Sequence, residues 1–336
     1  MGAGPAEGFA SALEPRTFVF PADHGPHPSF RTEWWYITGN LEGPGGDPYG
    51  FQFTIFRSAL DPDAPESESP WATNQVFMGH LALTDGRGRT FNAFERFARG
   101  AQGLAGAQAE PFRVWLEDWA LEGPAVDGTE KSGRDPGSAP GEAGYLSSTQ
   151  GPGLGIFPLR LSASEGDHAL SLVLNPSKPL VLQGNQGLSQ KGPQPGNASF
   201  YYSFTRLETT GTLKLGGREI PVKGSAWLDR EWSTSALSEN QVGWDWFALQ
   251  LSDGQDLMYY QLRLADGSPD PLSKGILGDR EGGAMLLTSE MVELEVTKKW
   301  ESPEDGTLYP SGWRLAIPSQ RTEFKVTPLI PGQELN

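Results

Sequence analysis

The most chemically dense stretch of the chain is GSAWLDREWS, residues 224–233. It holds Asp229, Arg230 and Glu231 between Trp227 and Trp232. A carboxylate walled by indoles loses hydration and keeps its proton to higher pH, which suits a general acid. The plainer reading is a buried Asp–Arg or Glu–Arg pair that locks a seam. Arg31 and Glu33 form a second cluster beside Trp34, Trp35 and Tyr36, and here a salt bridge closing one end of the fold is the plainer reading. His24 and His27 sit with Asp23 in DHGPH. Metal ligation would need His80 or His168 nearby, since the chain has four histidines, and no metal is expected. His80 lies mid-strand, as a satisfied core histidine or a polar group facing a cavity. Tyr201–Tyr202 and Tyr259–Tyr260 are adjacent pairs in strands, so one ring of each pair faces inward. The inward hydroxyls could relay protons, or the rings could simply pack.

Several chemistries lack support. There is no GxSxG elbow, P-loop, dinucleotide fingerprint or HExxH. The absence of cysteine removes thiol catalysis, disulfides and Cys-ligated zinc. A formal net charge of −16 repels phosphate backbones and anionic membranes, so no nucleic acid is expected as a partner. No apolar run is long enough to span a bilayer as a helix. The opening MGAGPAEGFASALEPRT reads as a mature end or a replaced leader. An extracytoplasmic location is expected on that basis, with a cytoplasmic one still open.

The elements that must hold these residues read as β-structure. Gly 43 and Pro 28, spread between short apolar runs, predict an all-β protein rich in turns. Eleven tryptophans suggest cavity walls. FRTEWWYITGNL (30–41), a Gly/Asp turn and FQFTIFR make a β-hairpin. GWDWFALQL (from Gly243), SDGQDL and MYYQLR repeat it, with Trp34, Tyr36 and Leu41 opposite Trp244, Trp246 and Leu251 at an offset of 210. One domain used twice is the simplest account. NQVFMGHLALTD, LRLSAS and ALSLVLN are strands, and RFARGAQGLAGAQAE (96–110) reads as a short helix or lid. FRVWLEDWALEG (112–123) alternates, placing Val114, Leu116 and Asp118 on one face and Trp115, Glu117 and Trp119 on the other. Residues 124–144 read as a long mobile hairpin loop, and 199–232 as three strands with turns near Glu208 and at 216–217. The expected organisation is a disordered segment 1–17, a first domain 18–196 and a second domain 197–336.

FPADHGPHPSFRTEWWYITGNL, GSAWLDREWSTSAL and GWDWFALQLSDGQDLMYYQLR together resemble the carotenoid 1,2-hydratase and AttH-like lipocalin-like family, whose members are often labelled predicted secreted hydrolases. The resemblance runs from about residue 18 through nearly the whole chain. It implies two tandem lipocalin-like antiparallel β-barrel domains packed together, with a small hydrophobic ligand such as a terpenoid or lipid. It further implies cofactor-free hydration of an isolated C=C: a carboxylic acid protonates the alkene, and water captures a cation stabilised by aromatic faces. The carotenoid enzymes carry a His–Trp element and a Tyr-x-Asp element. The equivalents here are Asp245–Trp246 and Tyr259–Tyr260–Gln261. Gln261 cannot protonate an alkene, so the proton has to come from Asp229, Glu231 or Asp245. The family also runs on into further C-terminal strands where this sequence ends at PLIPGQELN.

The sequence thus predicts a lipocalin-like hydratase, with a non-catalytic hydrophobic-ligand carrier or a secreted hydrolase as alternatives. Its candidate catalytic residues are Asp229, Glu231, Asp245 and Tyr259. Its candidate binding residues are Glu33, Trp34, Trp35, Tyr36, His80, Tyr202, Trp227, Arg230, Trp232, Trp244, Trp246, Tyr260 and Gln261. An unpaired buried carboxylate favours the enzyme, whereas arginine pairing of both Asp229 and Glu231 favours the carrier.

Overall fold

The computed structural model describes residues 7–124, 154–235, 237–238 and 240–335. Most of the loop expected at 124–144 therefore lies outside the described residues. Apart from short 3-10 turns, the described regular structure is entirely β.

A large antiparallel sheet is built from β1 (Thr32–Glu42), β2 (Pro48–Ala59), β3 (Gln75–Asp85), β4 (Thr90–Arg99), β5 (Ala105–Gln108), β6 (Arg113–Leu116), β7 (Trp119–Glu122), β8 (Leu159–Glu165), β9 (His168–Pro176), β10 (Val181–Leu182), β11 (Leu188–Gln190), β12 (Ala198–Leu215) and β13 (Arg218–Ser233). Its order is β4-β3-β2-β1-β13-β12-β9-β8-β7-β6-β5, with β10 and β11 also on β12. The sheet curls nearly into a barrel, so Phe53 of β2 meets Trp119 of β7 across the interior at 6.2 Å. Period-two alternation drives this: Trp35, Ile37 and Leu41 point in while Trp34, Tyr36 and Thr38 point out. Gly224 lets β13 approach β1, since a Cβ there would sit 2.1 Å from the Asn40 carbonyl oxygen.

The second unit has two smaller sheets. One is β14 (Gln241–Gln250), β15 (Asp256–Leu264), β16 (Lys274–Gly278) and β17 (Ala284–Thr288); the other is β18 (Glu293–Glu301), β19 (Leu308–Ile317) and β20 (Thr322–Val326). Phe247, Leu257, Tyr259, Leu287, Leu315 and Ile317 fill the space between them. The opposite face of β15 carries Met258, Tyr260 and Leu262, which pack with Tyr201 and Trp227 on the outside of the barrel. β15 is therefore covered on both sides, and its near-continuous apolar run reflects that.

Several expectations are corrected. The boundary at 196/197 falls inside the large sheet, because β12 and β13 pair with β9 and β1; the smaller sheets begin at β14. Residues 199–232 form two long strands with a bulge between Phe204 and Leu207, not three strands. Residues 96–110 are the end of β4 and β5 rather than a helix or lid. Residues 112–123 are a hairpin: Glu117 takes a positive φ of 56°, and Leu116 pairs with Trp119 across the two-residue turn. The turn resets the alternation, so Val114, Leu116, Trp119 and Leu121 all face the core. Residues 7–17 are not free, since Ala12 is fully buried and the Ala10 amide donates to Ser29 at 2.9 Å. Trp35, Trp119 and Trp232 belong to the buried apolar core of the barrel.

Candidate active site at the seam between the barrel and the second unit

Strand alternation divides the predicted site residues into separate groups. On β13, Trp227, Asp229 and Glu231 face outward, while Leu228, Arg230 and Trp232 face the barrel interior or its end. Tyr36 of β1 lies beside Asp229 in register, and Trp246 of β14 meets the Tyr36 ring edge-on at 5.3 Å. Asp229 is 3% exposed at this seam.

Asp229 Oδ1 accepts from Ser203 Oγ at 2.6 Å and Trp227 Nε1 at 2.7 Å. The Tyr201 hydroxyl also hydrogen-bonds to the carboxyl and takes the Trp246 indole N–H at 3.4 Å. Gln183 Nε2 donates to Ser203 Oγ at 2.9 Å, extending the chain outward. Among the described residues no Lys, Arg or His forms a salt bridge with Asp229. Burial pushes its carboxyl up to about 6, against the pull of Ser203, Trp227, Tyr201 and Lys191. The group therefore keeps its proton up to about pH 6, where an ordinary aspartate is ionised.

Glu231 is placed differently. It is buried and ion-paired to Lys191 Nζ, which also donates to Ser199 Oγ at 2.7 Å. The ammonium lies over the Tyr201 and Tyr260 rings at 5.6 and 5.7 Å. Burial, then repulsion from Lys274, pulls Lys191 down to about 7, with Asp229 opposing. The Tyr260 hydroxyl is 2.9 Å from Ser189 Oγ, and burial raises the pKa of Tyr36, Tyr201 and Tyr260 above the ordinary phenol range.

A second group closes one end of the barrel. Glu33 is fully buried and ion-paired with Arg57 and Arg230. Burial alone would raise its pKa, but Arg230, His27 and Arg57 together hold it well below the carboxylate range. Arg230 lies over the Trp35 ring at 4.0 Å, and His27 stacks on Trp232 at 3.8 Å. Tyr202 turns inward, its hydroxyl 2.5 Å from His24 Nδ1. The lead-in segment is a plug held by charge pairs, so Glu33, Trp35, Tyr202, Arg230 and Trp232 do not join the Asp229 group. His27 Nε2 lies 3.0 Å from Asp23 Oδ1, so two residues of the candidate metal set pair with each other.

The remaining candidates scatter. Asp245, Tyr259 and Gln261 share the face of the β14–β15 hairpin that looks toward β18–β20, opposite to Trp246 and Tyr260. Asp245 lies 3.6 Å from Arg263, and burial raises its carboxyl against that cation. Burial raises Tyr259 to about 12. Trp244 is 52% exposed. Trp34 rests against Phe56, and His80 faces Glu95 at 3.4 Å beside a cavity of about 140 Å³. Sequence reasoning missed Lys191, Ser203 and Gln183. Ser203 could have been found, because it shares a strand face with Tyr201. Lys191 sits in a stretch that reads only as a loop.

The family described as AttH-like matches residues 11–140 and 141–336. A crystal structure of a candidate AttH protein from Nitrosomonas europaea is 34% identical, with a TM-score of 0.78, and the match covers 98% of this chain and 89% of that one. Kievitone hydratase from Nectria haematococca has the same fold, with a TM-score of 0.66 at 13% identity over 98% of this chain and 86% of that one. No curated protein matches the chain in sequence. The chain belongs to the AttH-like family of lipocalin-like proteins.

Proposed function

We propose that the protein is a cofactor-free hydratase whose acid is Asp229, acting on an apolar ligand with an isolated carbon–carbon double bond. The observation that carries the reading is a fully buried carboxyl without a salt bridge among the described residues, raised to about 6 and surrounded by indole and phenol rings. Its Ser203, Trp227 and Tyr201 donors fix its orientation. Membership of a lipocalin-like family fits a small hydrophobic ligand, and the shared fold with kievitone hydratase is compatible with the reaction class.

The chemistry balances without a cofactor. Asp229 transfers its proton to one alkene carbon, forming a C–H bond and leaving a cation on the other. The rings of Tyr36, Tyr201, Trp227 and Trp246 lie around Asp229 and would supply electron-rich surface for such a cation. Water adds to the cation, and the Asp229 carboxylate takes the proton released, restoring the acid. The net change is alkene plus water to alcohol. Glu231 is paired with Lys191, so the acid's role falls to Asp229. Because Asp229 is closed off by the β14–β15 hairpin, ligand entry requires that hairpin to lift from the barrel.

The test is mass spectrometry of an organic extract of the protein, purified from its natural host or from a host making acyclic terpenoids. An apolar compound together with its water adduct supports the hydratase. The unmodified compound alone indicates a carrier. An empty extract removes the support for a lipid ligand and brings the hydrolase reading forward.

A further inference from the structure

The β14–β15 hairpin that closes over Asp229 is tied to the barrel unevenly. Asp256, at the start of β15, is buried and ion-paired with Lys178 and Arg206, and it accepts from Thr205 Oγ1 at 2.9 Å. Gln250 Nε2 donates to the carbonyls of Thr205 and Ala226 at 2.8 and 3.0 Å. Gln241 Nε2 donates to the Lys191 carbonyl at 2.7 Å, and the Tyr260 hydroxyl lies 2.9 Å from Ser189 Oγ. These ties all reach the barrel at residues 178–206 or at Ala226. On the other flank β14 faces β1, and there the contact is the edge-on packing of Trp246 on Tyr36. An aromatic edge contact parts at lower cost than a buried ion pair left without its partner. A hairpin that lifts to admit a ligand therefore swings on the first flank and opens on the second.

The flank that opens is lined with apolar side chains. β14 runs from Gln250, bonded to Ala226 beside Gly39, to Trp246 on Tyr36. Two residues further in the same direction, on the same face of the strand, Trp244 continues toward the level of Trp34 and is 52% exposed. Trp34 is the outward neighbour of Tyr36 on β1. From Trp34 a cross-strand row runs through Phe56 of β2 and Met78 of β3 to Phe97 of β4, each in register with the next. Trp34, Phe56 and Met78 are half-buried and Phe97 is 65% exposed, so the row meets solvent. It carries no charge and ends at the sheet edge that β4 forms. Four strand steps of about 4.8 Å separate β13, which carries Asp229, from β4, a span of about 19 Å. Single exposed apolar residues are ordinary on a protein surface, but a contiguous row leading to a buried site is not.

We propose that ligand reaches Asp229 between β1 and β14, and that Trp34, Phe56, Met78 and Phe97 hold the part of it that stays outside. The inference rests on the Asp229 reading and narrows its substrate to an uncharged apolar chain long enough to extend from the acid toward the sheet edge. Trp34 and Trp244, at the mouth, touch any chain that enters. Met78 and Phe97 touch only a long one. The row selects by length, through burial of apolar surface rather than through polar contacts.

Two isoprenoid alcohols test the proposal on the full chain: geraniol, and geranylgeraniol with twice the chain. Equilibrium binding of the tritiated alcohols gives the affinities. The wild type should bind geranylgeraniol at least about tenfold more tightly than geraniol, because each further buried methylene adds to binding. The double variant Met78→Ser/Phe97→Ser should weaken geranylgeraniol about tenfold and leave geraniol unchanged, which also shows that the variant is folded. Trp244→Ser should weaken both alcohols. Leu286→Ser, at an exposed apolar position on β17, should change neither. Asp229→Asn should keep the length dependence. Equal affinity of the wild type for the two alcohols, failure of geranylgeraniol to bind, or the same loss for both alcohols in the double variant would each overturn the proposal. Turnover is scored separately. Length-dependent binding without a water adduct would count against the hydratase and support the row as the ligand's outer site.

Discussion

Replacing Asp229 by asparagine should change the pH dependence of stability in a defined way. The carboxyl titrates at its ordinary 3.8 in the unfolded chain and at about 6 in the fold. The native state therefore binds this proton more tightly. The associated stability is fully present below pH 3.8 and is lost as pH rises through 6. Raising the acid by that amount corresponds to about 3 kcal/mol. Asparagine keeps the acceptor oxygen for Ser203 and Trp227 and cannot ionise, so it escapes that loss. The variant should then be less stable than the wild type at pH 4 by about 1 kcal/mol, the worth of an altered hydrogen bond. It should be more stable by about 2 kcal/mol at pH 8, the remainder of the linkage figure. Urea unfolding of both proteins across this range isolates the effect, because groups unaffected by the change cancel in the difference. A difference that does not move with pH would refute the reasoning, since Asp229 would then titrate as an exposed carboxylate.

Other substitutions test the surroundings. Lys191→Met strands Glu231 as a buried carboxylate and should cost about 3–5 kcal/mol in urea unfolding; the Asp229 carboxyl, losing a favourable cation, should titrate higher by NMR. Glu33→Gln leaves Arg57 and Arg230 unpaired at the barrel end and should cost about 3–5 kcal/mol at neutral pH. Because the folded pKa of Glu33 lies below its ordinary 4.5, its contribution is present above that value and lost as pH falls. The gap to the Glu33→Gln variant should therefore narrow in strong acid. Gly224→Ala places a methyl group 2.1 Å from the Asn40 carbonyl and should lower Tm sharply by calorimetry, whereas a serine-to-alanine change at the neighbouring Ser225 should not.

The two hairpins were legible because aromatic alternation and Gly/Asp turns are local signals. β1–β2 and β14–β15 stand where the sequence places them. The same alternation sorts Tyr201 from Tyr202 and Tyr259 from Tyr260, although it cannot say which member meets the acid. Residues 112–123 misled because a two-residue turn at Glu117–Asp118 keeps an apparent period of two while reversing the chain. The bulge near Phe204 looked like a turn because it interrupts the apolar run of β12 without ending the strand. The domain boundary was hidden for a topological reason: β12 and β13 close the first sheet from a distance in sequence. In the site itself, Asp229 stood out through its flanking tryptophans. Its separation from Arg230 follows from strand parity, and a list of residue types does not show that. Lys191 reaches Glu231 from forty residues away, and nothing local in a Gly- and Gln-rich stretch marks it.

The central claim is that Asp229 protonates carbon and that water supplies the oxygen. The compound extracted from the protein should be incubated with wild type and with Asp229→Asn in water enriched in oxygen-18, and the products weighed by mass spectrometry. The account predicts an alcohol carrying one heavy oxygen from the wild type and recovered alkene from the variant. Equal formation of the labelled alcohol by both proteins would contradict it.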